Sequence, residues 1–361
     1  MNAILPLKAE TLVRVRSPET VMAHLHEHFG EHGIVSGESG GWSVAFEIGT
    51  ASVALRDGAL AFRVEAGDDT SLSFLQWSVA EHVNEFAPGE EPDIVWQGGT
   101  TPGAPLPYFR EMRVVRAVDV TPAMRRLTLA GENLARFAHD GLHVRLLFAP
   151  RPGVAPVWPV MAADGRQAWP EGERPVARVY TIRRIDVEAG EIDIDFVMHE
   201  GDGMPGAQFA RDALPGAVVG MTGPGGGGSL PPASRHILAG DETALPAIAR
   251  MLEEFPAGAR ATVLIEIADD AERQDLAAKP GIDVHWLSRE GRPAGSTTLL
   301  IDALRSLDDS HWQDDTYVWA ACEHAAARAI RAFLKAERGL PKKRFLAAAY
   351  WRRGQAGEVD E

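Results

Sequence analysis

The sequence predicts a multi-domain protein of three parts: a small α+β domain, an antiparallel β-barrel and a parallel α/β sheet. Three observations carry that prediction. Charge is uneven, with 5 basic and 15 acidic residues up to Thr100 against 36 and 51 in the whole chain of 361 residues. Six short strand-like runs follow with no long helix among them, as in an antiparallel barrel. Beyond Gly225-Gly226-Gly227-Gly228, compact apolar runs alternate with helical segments, the pattern of a parallel sheet.

In the first domain, residues 1–98, Ser17 stands as N-cap and Pro18 as first residue of a helix that passes through His24 and His28. Alternating runs at 42–48, 52–55 and 59–64 read as strands, with Asp57-Gly58 as the hairpin turn between the last two. A second helix covers 70–86. Residues 99–110 have the Gly/Pro composition of a linker. The barrel domain, 111–231, carries strands at 113–120, 125–129, 143–148, 178–185, 192–198 and 217–221. The last domain, 232–361, carries strands at 236–239, 261–267, 283–287 and 317–320, helices at 244–254, 298–306 and 323–338, and a C-terminal tail.

Several classes of function are disfavoured at once. A formal charge of −15 argues against sequence-independent nucleic-acid binding, which needs a broad cationic surface. Cys322 is the single cysteine, so an intrachain disulfide is impossible. Residues 1–10 lack the apolar core of a signal peptide and no stretch is long and apolar enough to span a bilayer, so a cytoplasmic protein without membrane segments is expected. His24, His26, His28 and His32 invite a metal reading, but no third ligand is evident beside the i, i+4 pair, and a polar helix face is the expectation.

The chemistry concentrates first in Arg178-Val179-Tyr180-Thr181-Ile182-Arg183, which alternates cations with an aromatic and a hydroxyl. On a strand Arg178 and Tyr180 point one way, Thr181 and Arg183 the other. A flavin dinucleotide needs a flat platform for its ring, a small donor near the reactive ring nitrogen and guanidinium groups for its pyrophosphate. This segment resembles the Arg-x-Tyr-Thr-x-Arg flavin motif of the siderophore-interacting protein family, the ferric-siderophore reductases of the ferredoxin-reductase-like superfamily. A barrel followed by a parallel sheet is the layout of their flavin and nicotinamide halves.

The resemblance continues in order along the chain, over residues 112–354. His199-Glu200-Gly201-Asp202-Gly203-Met204-Pro205-Gly206-Ala207 is a Gly-rich turn opening a short helix, whose free N–H groups suit a phosphate. Gly223-Pro224-Gly225-Gly226-Gly227-Gly228-Ser229 lacks the Lys-Ser/Thr of a nucleotide-hydrolysing loop and reads as a flexible crossing. Gly240-Asp241-Glu242-Thr243-Ala244-Leu245-Pro246-Ala247 is similar to the family's Gly-Asp-Glu-Thr-Ala-x-Pro-Ala signature, without any Gly-x-Gly-x-x-Gly fingerprint. Trp319-Ala320-Ala321-Cys322-Glu323 has Cys322 where the family commonly has glycine, and reads as a small buried residue. Tyr350-Trp351-Arg352-Arg353-Gly354 resembles the family's Gly-Tyr-Trp-Arg-x-Gly ending, with Ala349 where Gly is usual.

The resemblance implies FAD held by Arg178, Tyr180, Thr181, Arg183, His199, Gly203, Met204, Pro205, Gly206, Ala207, Asp241, Thr243, Ala244 and Trp351. It implies NADPH or NADH as electron donor and a ferric siderophore as substrate, with no side chain serving as nucleophile or general acid. Many ferric siderophores are anionic, so a local basic mouth is expected, with Arg145, Lys342, Lys343 and Arg352 foremost and Arg110, Arg344 and Arg353 as further candidates. Two alternatives stand beside this: a flavin reductase served by a protein such as ferredoxin, and a siderophore-binding carrier without activity. The first hundred residues resemble a small domain of unknown function fused to such reductases, on Glu81-His82-Val83-Asn84-Glu85-Phe86-Ala87 and Trp96.

Overall fold

The computed structural model describes residues 6–38, 40–99, 101–139, 141–151, 153–199, 204–228, 230–276, 279–313 and 315–355. Two compact units result, one from residues 1–109 with 153–175 and one from residues 110–152 with 176–361.

The first unit holds β1 (Leu7–Val13), α1 (Pro18–Gly30), β2 (Ile34–Glu38), β3 (Gly41–Phe46), β4 (Gly49–Arg56), β5 (Ala59–Ala66), α2 (Asp69–Phe86) and β6 (Gln97–Gly98). The strands form one sheet in the order β2-β3-β4-β5-β1-β6. Asp57 and Gly58 both have positive φ, 48° and 69°, which is the expected hairpin turn. α1 begins with Pro18 as expected, but the Ser17 side chain makes no cap bond. Asp68 caps α2 instead, accepting from the N–H groups of Thr70 and Ser71. Leu25, Phe29, Val44, Phe62, Leu75 and Val79 pack both helices on one face of the sheet.

Residues 153–175, expected inside the barrel domain, pack with this first unit. The Trp96 indole donates to the Asp164 carbonyl at 2.9 Å, and Gly103 N–H donates to the Met161 carbonyl at 2.8 Å. A long excursion between two barrel strands therefore adds β10 (Val160–Met161) and β11 (Gln167–Ala168) to the neighbouring unit.

In the second unit β7 (Phe109–Thr121), β8 (Met124–Ala130), β9 (His143–Phe148), β12 (Val176–Asp186), β13 (Glu191–Val197) and β14 (Val218–Gly225) close a six-stranded barrel in the order β12-β13-β8-β7-β14-β9. All six expected strands are present. Leu127, Leu129, Val144, Leu146, Ile182, Ile194 and Phe196 fill its interior. Asp193 and Asp195, both buried, are matched by Arg184 and by a bidentate Arg126 across neighbouring strands. The helix α3 (Pro205–Asp212) follows β13.

After the barrel come β15 (His236–Gly240), α4 (Leu245–Glu254), β16 (Ala261–Ile267), β17 (Ile282–Ser288), α5 (Leu299–Ser306), β18 (Tyr317–Glu323), α6 (His324–Ala336) and β19 (Phe345–Trp351). The strands run parallel in the order β17-β16-β15-β18-β19, with α4 on one face and α5 and α6 on the other. The C-terminal tail is thus a fifth strand. Its Ala347, Ala348 and Ala349 have weak strand propensity, which concealed it. Barrel and sheet form one compact unit: Arg250 of α4 donates to the carbonyls of Ile182 and Ala138. Glu272 accepts from Thr121 Oγ1 and from Ala123 N–H.

Candidate functional site

β12 pairs with β9 so that Arg178, Val179, Tyr180 and Thr181 lie opposite Leu146, Arg145, Val144 and His143. The two faces of β12 separate as strand alternation requires. Tyr180 lies inward beside Phe196, ring centroids 4.5 Å apart, and Phe148 at 6.1 Å. Burial pushes its phenol well above the ordinary range, with the nearby Arg178 guanidinium opposing the shift. Arg178 itself makes one bond among those described, to the Ala177 carbonyl at 2.7 Å. On the other face Thr181 is buried and its hydroxyl lies 3.3 Å from His143 Nδ1, whose ring reaches Tyr350 Oη through Nε2 at 2.9 Å. Burial, with Arg250 adding, lowers the His143 imidazole to about 4, so it is neutral at physiological pH.

Arg183 points from that same face toward α4 and pairs with Glu253 at 3.1 and 2.7 Å, while its Nε is buried without a partner. The glycine run after β14 closes this side. Gly226 and Gly227 take positive φ, and a Cβ on Gly227 would stand 2.9 Å from His143 Nε2. The run expected to be a flexible crossing is therefore a close approach that only glycine allows. Ser229 lies outside the described residues.

Below Tyr180 sits the start of α3, with Met204 as N-cap and Pro205 as first helical residue. A Cβ on Gly206 would lie 1.7 Å from Tyr180 Oη, so glycine is what lets the phenol rest on the helix end. The N–H groups of Gly206 and buried Ala207 precede the first acceptor a helix provides. Gly203 lies outside the described residues, and His199 is exposed with Nδ1 3.2 Å from the Val197 carbonyl.

At the carboxyl end of the sheet, Asp241 follows β15 where the strand order reverses between β15 and β18. Asp241 is buried and fully used: it accepts from Thr243 N–H and Oγ1, from Glu323 N–H at 3.1 Å and from the Trp351 indole at 2.8 Å. Ala244 packs so tightly on Gly240 that a Cβ there would lie 2.5 Å away. Asp241, Thr243, Ala244 and Trp351 thus form one joint between three strand ends. Beside it Arg289, 3% exposed, holds Glu242 with both terminal nitrogens and reaches Glu266 at 3.5 Å. Burial raises the Glu266 carboxyl despite that cation. Cys322 is buried, and burial and nearby carboxylates push its thiol far up, which leaves it unreactive.

The basic set does not gather. Exposed Arg145 stands on β9 two residues from His143, and Arg352 follows β19 and donates to the His324 ring at 3.0 Å. Lys342 and Lys343 precede β19, at the opposite end of that strand from Arg352, a strand's length of roughly 20 Å away. Arg110 reaches the Asn133 carbonyl and Arg344 the Thr316 carbonyl. Sequence reasoning missed His143, Tyr350 as its partner, and the Arg289 cluster, because each joins positions far apart in the chain.

In the first unit His82 lies 4.2 Å from His28 and His32 lies 5.1 Å from it, ring centre to ring centre. Among the described residues, no group of three or more His, Cys, Asp or Glu is placed to hold a metal ion.

A closed barrel with this aromatic, hydroxyl and cationic edge, joined to a parallel sheet, defines a flavin-binding reductase scaffold. Residues 113–228 match the siderophore-interacting FAD-binding domain, and residues 233–354 match the siderophore-interacting protein model. Ferric vibriobactin reductase ViuB of Vibrio cholerae is 34% identical over 255 residues, which cover 70% of this chain and 92% of that protein. Ferric acinetobactin reductase of Acinetobacter baumannii is 33% identical over 196 residues, 53% of this chain and 66% of that protein. The solved structure of a siderophore utilization protein from T. fusca has a TM-score of 0.59 at 36% identity, covering 70% of this chain and 95% of that one. The chain belongs to the siderophore-interacting protein family. Residues 10–97 match a family known only as an uncharacterized protein conserved in bacteria (DUF2218).

The residues present fit FAD. Arg183 Nε is a buried donor without a partner, and Arg178 and the α3 end, where Gly206 lets Tyr180 Oη approach the backbone, supply further donors of the kind a pyrophosphate accepts.

Proposed function

We propose that this protein is an FAD-dependent ferric-siderophore reductase that releases iron in the bacterial cytoplasm. The observation that carries the reading is the edge of β12, where Tyr180 stands over the start of α3 between Arg178 and Thr181 along the strand, in a chain whose barrel matches the family's FAD-binding domain. Bound FAD accepts two electrons together and passes them on singly. The chain's own contribution is placement: Arg178 and the Gly206 and Ala207 N–H groups would hold phosphate, Tyr180 would serve as an aromatic platform, and Thr181 would offer its hydroxyl to a ring nitrogen. Asp241 and Trp351 keep the sheet's end closed beside them. Siderophores hold Fe(III) with hard oxygen donors, and Fe(II) suits those ligands poorly, so reduction releases the metal. Arg145 and Arg352 are the cations proposed to steer an anionic complex. Lys342 and Lys343 stand at the other end of β19, a strand away from Arg352. Among the described residues no helix is long and apolar enough to cross a membrane.

NADPH or NADH is the proposed electron donor. A protein donor such as ferredoxin is the second reading, favoured by the charge at the end of the sheet, where Asp241, Glu242, Glu266 and Glu323 are buried with Arg289 as their cation. Carboxylates held at that strand end disfavour a dinucleotide's pyrophosphate there. The test is to mix FAD-loaded protein anaerobically with NADPH, NADH or reduced ferredoxin and follow the flavin's visible band. Rapid bleaching by a nicotinamide supports the first reading; bleaching by ferredoxin alone supports the second. Failure to take up FAD in any form would leave only a carrier.

A further inference from the structure

His143, Thr181 and Tyr350 come from β9, β12 and β19 and meet in one hydrogen-bonded line. Register places His143 opposite Thr181 on neighbouring strands, so their contact is built into the barrel. Tyr350 arrives from the far edge of the parallel sheet and meets the imidazole edge-on, with centroids 5.5 Å apart and planes at 87°. Gly227 passes close to the imidazole, where a Cβ would stand 2.9 Å from its Nε2.

Proton positions follow from the bonding. A neutral imidazole carries one N–H, so its two nitrogens cannot both donate. Burial keeps the Tyr350 phenol protonated, and the one described acceptor for that proton is His143 Nε2. Nε2 is therefore the acceptor and Nδ1 carries the hydrogen, which donates to Thr181 Oγ1. The Thr181 hydrogen is then turned away from His143 and is free for an acceptor on a ligand. Without the phenol hydrogen, the imidazole can hold its proton on Nε2 instead. Thr181 then donates to Nδ1 and is lost to the ligand.

We propose that Tyr350, acting through His143, fixes the direction of the Thr181 hydroxyl so that it donates to the ring nitrogen of oxidised flavin. Tyr350 and His143 are positioning residues, and the proposal rests on the reading of Thr181 as the flavin-facing hydroxyl. A donor to that nitrogen favours the oxidised over the reduced ring, because the reduced nitrogen bears its own hydrogen.

The test is a spectroelectrochemical titration of the FAD-loaded protein and of Tyr350→Phe, Thr181→Val, Thr181→Ser and the Tyr350→Phe/Thr181→Val double variant. Tyr350→Phe and Thr181→Val should each shift the equilibrium about tenfold toward reduced flavin, about 30 mV for a two-electron couple. Thr181→Ser, which keeps the hydroxyl, should retain the original potential. The double variant should shift no further than Thr181→Val alone, because Tyr350 acts only through that hydroxyl. An unchanged potential in Tyr350→Phe, or two shifts that add, would overturn the proposal while leaving the flavin site standing. Failure of the unmodified chain to bind FAD is a separate result that removes the site and the proposal with it.

Discussion

Replacing Arg289 with methionine destabilises the sheet by about 3–5 kcal/mol, the usual cost of removing one partner from a buried ion pair. Arg289 ties together the ends of three strands, holding Glu242 after β15 and Glu266 on β16 from its place just beyond β17. Both carboxylates are buried, and methionine matches the length of the side chain without its charge. Glu266 already sits above its ordinary pKa, chiefly from burial with the Asp241 and Glu242 carboxylates adding, and loss of the cation moves it further up. A raised carboxyl in the folded state is penalised as pH climbs from the unfolded value of 4.5 through the folded one. The loss should therefore be largest near pH 7 and smaller near pH 5. Thermal melts at the two pH values measure it, and the Glu242→Met/Arg289→Met pair should recover part of the loss. A single variant that melts with the unmodified protein at pH 7 would show that the cluster contributes nothing.

Gly206→Ala should weaken FAD binding ten- to hundredfold, although alanine is about 1 kcal/mol better than glycine within a helix. The added Cβ would stand 1.7 Å from Tyr180 Oη and 2.8 Å from its Cζ. Either the phenol leaves its place beside Phe196 or the start of α3 moves, and overpacking of this kind costs about 1–3 kcal/mol, which is that range of affinity. Deleting the hydroxyl with Tyr180→Phe removes the worst contact, so the double variant should regain part of the affinity. Fluorescence titration with FAD reads both. Equal affinity in Gly206→Ala and the unmodified chain would mean that Tyr180 and α3 do not form the flavin platform together.

Much of the fold was legible because its signals are local. Asp57-Gly58 marked its hairpin, the apolar runs marked the barrel and sheet strands, and the change from strand runs to alternating helices marked the passage from one to the other. What escaped was either weakly patterned or distant. β1 turns Ala9, Thr11 and Val13 inward, small residues that make a faint alternation, and β19 is built on alanines. Motif order located the flavin segment, while the bonds that organise it span the chain. Tyr350 reaches His143 across 207 positions, and Trp351 reaches Asp241 across 110. The basic residues were legible as charges but not as a cluster, since no local pattern says that Lys343 and Arg352 flank opposite ends of one strand.

The most direct measurement is to reduce the FAD-loaded protein anaerobically, remove excess reductant, and add a ferric siderophore with a ferrous-specific chelator. The account predicts return of the oxidised flavin band together with about two ferrous ions captured per flavin, since the cofactor carries two electrons. Binding of the ferric siderophore with the flavin left reduced and no ferrous iron captured would contradict it, and would make the protein a carrier rather than a reductase.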